Sequence, residues 1–93
     1  MSSILHKKVR TKTFMHDMDK YEDWEVDQEV NDWITTCENI LEDFNIIKIQ
    51  RDVITEKHIT LESLYIVTSI IHEFYANDNI MKKYNKLNNK EEK

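Results

Sequence analysis

The stretch HEFYA, residues 72 to 76, opens like the helix of a zinc protease, where two histidines four positions apart hold the metal and an intervening glutamate acts as base. Here the position four after His72 is Ala76, so the second ligand is missing and His72 reads as a strand histidine beside Glu73. HDMD, residues 16 to 19, gathers His16, Asp17 and Asp19 and has the donors for a weakly held cation. Helix capping by Asp17 or Asp19 explains it more simply. Cys37 is the chain's single cysteine and falls inside an apolar stripe, where a thiol behaves as a small hydrophobe. Ser63 and Ser69 sit in no nucleophile elbow, and a chain with no glycine cannot build a phosphate-cradling loop. The expectation is therefore no catalytic residue, no metal ligand and no cofactor: the chain reads as non-enzymatic.

Binding is better supplied. Trp24 and Tyr21 lie off the apolar stripe of a long helical segment and stand among acids such as Glu25 and Asp32, the composition of an exposed aromatic anchor for a protein partner. The bland reading is that the first turn is irregular and Trp24 folds back as a staple. Arg10, Arg51, Tyr65 and Tyr75 form a second set, whose basic and aromatic groups would suit a small ligand such as a signalling nucleotide held at a subunit interface. Lys7, Lys8, Arg10 and Lys12, with Lys82, Lys83 and Lys86, have the charge to touch a phosphate backbone. The acidic neighbour opposes that, so edge protection and solubility are the preferred reading and nucleic acid is not an expected partner.

Charge is unevenly laid out. Of the net −5, residues 1 to 12 contribute four Lys/Arg and no acid, whereas residues 13 to 45 hold eleven Asp/Glu against Lys20 alone. One acidic helix presenting so many carboxylates is either a solvated face or a decoy for nucleic-acid-binding proteins. Neither an export signal nor an apolar run long enough to span a membrane is read in the 93 residues, and the lone cysteine favours a reducing, cytoplasmic setting. With glycine and proline both absent, tight primed hairpins are excluded and connections fall to Asn, Asp, Thr and Ser.

These side chains need elements to position them. Residues 7 to 14, KKVRTKTF, alternate Val9, Thr11 and Thr13 against Arg10, Lys12 and Phe14, a strand with one charged, solvated side. From about residue 20 to 44, Val26, Val30, Trp33, Ile34, Cys37, Ile40, Leu41 and Phe44 fall within an arc of roughly 120° on a helix. Residues 45 to 54 alternate again, with Ile47, Ile49 and Val53 on one side and Lys48, Gln50 and Asp52 on the other. LYIVTSIIHEFY, residues 64 to 75, is apolar at odd and even positions alike; its β-branched and aromatic content makes it a strand rather than a helix. Residues 76 to 93 form a basic Asn/Lys-rich tail, with Ile80, Met81, Tyr84 and Leu87 at helical spacing in a short, loosely docked helix that frays.

Strand, helix, strand, strand is a single βαββ unit over residues 1 to 75, of class α+β. A segment hydrophobic on both sides belongs in the middle of a sheet and a Lys-rich one at its edge, so the expected three-stranded sheet has order 1-3-2, with one long amphipathic helix on one face. One helix covers one face. The other is left with either Tyr65, Val67, Ile71 and Tyr75 or Ile66, Ile70 and Phe74 in water, a large apolar patch for a monomer. A second copy is the expected cover, making a homo-oligomer; the rival is that the tail folds beneath the sheet.

The succession of a strand ending KTF, an acidic loop, a helix such as EVNDWI, then IIKIQ, a connection and LYIVTSIIHEFY resembles the very small sporulation-associated proteins of spore-forming bacteria (the Cse type) and related small proteins of their phages and mobile elements. The likeness spans residues 8 to 75 and implies the fold just read with no chemistry attached. The leading expectation is a small, self-associating cytoplasmic protein that acts by binding another protein and is encoded by a phage or mobile element.

Overall fold

The protein is described by a computed structural model over residues 4 to 57 and 59 to 89. Its elements run β1 (His6–Asp17), α1 (Asp23–Ile40), β2 (Glu42–Lys57), β3 (Glu62–Ala76) and α2 (Asp78–Asn89). The three strands form one sheet in the order β1-β3-β2, with β3 antiparallel to both neighbours. The expected α+β class, antiparallel sheet and strand order are therefore observed. β1 and β2 run parallel without touching, and α1 carries the chain from one edge to the other.

Burial follows the period of two along β3. Thr68, Ile70, His72, Phe74 and Ala76 are all buried on one side, whereas Tyr65, Val67, Ser69, Ile71, Glu73 and Tyr75 point to the other and remain part-exposed. α1 lays Val26, Val30, Trp33 and Cys37 on the buried side, the apolar arc read from the sequence. α2 joins it there. The Tyr84 hydroxyl donates to His72 Nε2 at 2.8 Å, the rings of Tyr84 and Phe74 lie 4.8 Å apart, and Trp33 Nε1 donates to Asn88 Oδ1 at 3.1 Å. The tail does not fold beneath the sheet: over Asp78–Asn89 it is a docked helix with a buried tyrosine, on the same side as α1. The Tyr65 side carries no helix among the described residues.

Several boundaries differ from the sequence reading for physical reasons. The first half of the HDMD stretch is strand, because β1 continues through Asp17 and buries His16 beside Phe14, and only Met18 and Asp19 belong to the turn. Asp17 closes the turn that follows, its backbone carbonyl accepting from the N–H of Lys20 and of Tyr21 at 2.9 and 3.1 Å. Neither Asp17 nor Asp19 caps α1; Glu22 does, with its N–H donating to the Glu25 carboxylate at 2.8 Å. The charged side of β1 is also the helix-facing side, since Phe14 and His16 at its far end draw it inward while Lys12 passes its ammonium over the Phe14 ring.

β2 starts inside the expected helix tail and runs beyond its expected end. Asp43 takes a φ of 51°, a left-handed conformation an aspartate tolerates in a chain without glycine, and the register slips at two places nearby. The second slip leaves Ile47 out of the ladder and half-exposed, whereas Ile49 and Val53 register with Ile70 and Ile66 on the helix-bearing side. Much of the stretch between the two expected strands is ladder as well, down to the pair Lys57 and Glu62. β1 stops at the level of Tyr65, and beyond it β2 and β3 project as a two-stranded arm. That arm stretches the molecule to 58 × 28 × 20 Å, and its radius of gyration of 15.9 Å compares with about 12 Å for a compact chain of this length.

Candidate functional site

Two surfaces carry the side chains singled out by the sequence. The first is a groove of about 310 Å³ beside the first two turns of α1, lined by Tyr21, Trp24, Glu25, Gln28, Glu29 and Asp32. All four residues marked for partner binding, Tyr21, Trp24, Glu25 and Asp32, meet in it. Helical spacing explains the gathering, because Glu25, Gln28, Glu29 and Asp32 recur at three and four and share a face. Trp24 is 60% exposed, so it is not a staple buried against the core; its indole N–H reaches back only to the Glu22 carboxylate at 3.2 Å.

His16 does not line this groove but contacts two residues that do, Tyr21 and Glu29, a link that sequence reasoning missed. It is 3% exposed, stacks on Phe14, meets the Tyr21 ring edge-on at 5.0 Å and bonds through Nε2 to Glu29 Oε1 at 2.8 Å. Both a wall aromatic and a wall carboxylate are thus set by one enclosed imidazole. Its alternation with Phe14 was the available signal, had the strand been extended two residues. The lining holds three carboxylates, Glu25, Glu29 and Asp32, and no basic group. Such a site favours a cation: aromatic faces attract an ammonium or guanidinium, and the carboxylates accept its hydrogen bonds.

The second surface is the open side of the sheet. Tyr65, Val67, Ile71 and Tyr75, marked for self-association, all project from it along β3, joined by Val9, Thr11, Thr13 and Met15 of β1 and by Lys48, Gln50, Asp52 and Ile54 of β2. Val9, Met15 and Ile54 are 51%, 62% and 43% exposed, so the patch is broad and apolar at its margins as well as its centre.

The ligand set does not converge within the chain. Tyr65 and Tyr75 lie on the open side, ten residues apart on an extended strand and therefore about 33 Å from each other. Arg10 and Arg51 register with His72 and Thr68 and so belong to the opposite, helix-bearing side. Arg51 is committed there, donating to Asp27 at 2.9 Å and to the Thr68 hydroxyl at 3.1 Å.

The nucleophile and ligand candidates are placed as structural groups. Cys37 is fully buried, and burial pushes its thiol up to about 12. His72 is fully buried between Nδ1, which donates to the Ile70 carbonyl at 2.9 Å, and Nε2, which accepts from Tyr84. Burial lowers its pKa and raises that of Tyr84, so both stay neutral near pH 7. No group of three or more His, Cys, Asp or Glu arranged for a metal occurs among the described residues. Nor is any helix among them long and apolar enough to cross a membrane. No family model matches this chain, and neither a curated protein nor a solved structure matches it.

Proposed function

We propose that this is a non-enzymatic cytoplasmic βαββ protein that self-associates through the open side of its sheet and acts by binding another protein at the groove beside α1. The observation that carries the reading is the meeting of Tyr21, Trp24, Glu25 and Asp32 in one exposed, acidic cavity. The matching partner surface is a protein segment bearing Lys or Arg. Magnitudes explain why self-association matters to it. One exposed cation–aromatic contact is worth about 0.5 to 1 kcal/mol and each surface ion pair about 0 to 1. A single groove therefore supplies about 2 to 3 kcal/mol, near 10 mM in dissociation constant. An assembly presenting the groove twice raises the apparent affinity without any new contact. A product of a phage or mobile element, as the sequence resemblance implies, fits this mode of action.

The test uses the full chain and two peptides of equal length, one rich in Lys and Arg and one rich in Glu and Asp, with the Trp24 indole N–H followed by NMR. A saturable, salt-sensitive shift with the basic peptide alone is expected, and Trp24→Ala weakens binding of that peptide, read by the fluorescence anisotropy of a dye on the peptide, while the thermal midpoint stays in place. Equal responses to both peptides, or none to either, defeat the reading. The acidic lining also favours a second reading, a decoy for nucleic-acid-binding proteins. It predicts that duplex DNA displaces the protein from its partner, whereas a partner using a basic segment unrelated to DNA binding remains attached.

A further inference from the structure

The open side of the sheet carries a charge order that fixes how a second copy fits it, an inference resting on the self-association reading above. We propose that two copies pack with these sides together and their strands antiparallel, about a two-fold axis that lies between the sheets, perpendicular to the strands, at the level of Ser69. Val67 of each copy then meets the partner's Ile71, and Lys48 of each meets the partner's Asp52.

Three observations converge on this arrangement. Ser69 is the midpoint of the fifteen-residue strand β3, and the residues at its level on the neighbours are Thr13 and Gln50, short or uncharged groups that can face their own copies. Val67 and Ile71 stand two residues either side of Ser69, so the axis exchanges them and seats the two β-branched side chains against each other. On β2, Asp52 lies at the level of Val67 and Lys48 at the level of Ile71, so the same axis exchanges an acid with a base.

Charge selects the orientation. Lys48 and Lys7 lie towards one end of the open side, together with Glu42 and with Glu73, which Lys7 holds at 3.2 Å, and Asp52, Asp17 and Glu56 lie towards the other, which carries no base among the described residues. Parallel stacking brings like ends together; antiparallel stacking places opposite charges over one another. The same axis brings Tyr65 of each copy to the level of the partner's Glu73 and Ile54 to the level of its Asn45. Strands of 12, 16 and 15 residues about 4.8 Å apart present roughly 700 Å² per copy. That approaches the roughly 800 Å² per partner of a standard stable interface.

The experiment measures dissociation constants by analytical ultracentrifugation for the full chain and for Lys48→Glu and Asp52→Lys, both exposed positions where the fold tolerates the change. Each variant alone sets like charges over each other twice and is expected to dimerise about tenfold more weakly or worse. An equimolar mixture of the two variants pairs Glu with Lys and Asp with Lys, and is expected to restore wild-type affinity as a heterodimer. A wild-type dimer unaffected by either reversal, or a mixture no tighter than its components, overturns the antiparallel arrangement while leaving self-association standing. A wild-type chain that stays monomeric at hundreds of micromolar overturns both.

Discussion

β3 has two sides built from the same kinds of residue, and only one of them is finished. Towards the helices, Ile70, His72 and Phe74 have no exposed surface; towards the opposite side, Val67 and Ile71 are only half-buried and Tyr75 is more than a third exposed. The finished side mixes apolar groups with a closed polar chain, Ile70 carbonyl to His72 to Tyr84, in which each buried heteroatom has a partner. The open side has Thr and Ser hydroxyls spaced between aliphatics and charges at its ends. A side made for permanent burial satisfies its polar groups internally, whereas one made to meet another surface keeps polar groups at its rim. The contrast shows that a strand's hydrophobicity on two sides need not mean one core.

The comparison breaks most visibly at Phe74. Phe74→Ala is expected to cost about 3 to 5 kcal/mol of unfolding free energy in denaturant titrations, because the cavity lies between two helices and the sheet. Tyr84→Phe tests the polar chain: it leaves His72 Nε2 buried without a donor and is expected to cost about 1 to 3 kcal/mol by the same measurement. Acid attacks that same pair. Burial holds His72 below its ordinary value of 6.5, so between the two values the unfolded chain binds a proton that the folded chain refuses. Stability is fully present above 6.5 and is lost as pH falls through that window, and His72→Gln is expected to show a shallower acid decline than the wild type.

The open side should answer differently. Ile71→Ala, measured at a dilution where copies are separated, is expected to cost about 1 to 2 kcal/mol, since that side chain already keeps part of its surface in water. A loss as large as that of Phe74→Ala would mean that the side is covered from within the chain. Trp24→Ala, on an exposed helix turn, is expected to change stability by no more than about 0.5 kcal/mol.

Much of this architecture could be read from residue types. The β-branched run at 66 to 71 made a middle strand, and the arc from Val26 to Leu41 made α1. Trp24 stood out because it fell opposite that arc. What escaped the sequence was the choice of side. Ile80, Met81, Tyr84 and Leu87 have the spacing of a helix, which identifies the element but not which side of the sheet it meets. The length of β2 escaped for a related reason: polar Thr55, Glu56 and Lys57 look like a loop until their partners Leu64, Ser63 and Glu62 are known. The groove was half legible, its residues identifiable but the support behind Tyr21 and Glu29 hidden, because the burial of His16 depends on Phe14 and Glu29 from different elements.

The middle strand is the last of the three to be synthesised. A ribosome releases β1 and β2 before the residues that hydrogen-bond to both exist, and the outermost pair, His6 with Ala76, joins almost the two extremes of the domain. The β2 and β3 hairpin can zip locally, but β1 must wait as an unpaired, lysine-studded ribbon, kept from sticking to other nascent chains by its own repulsion. Translation order and strand order are thus opposed in this small protein, and closure of the sheet falls to the moment when β3 has emerged.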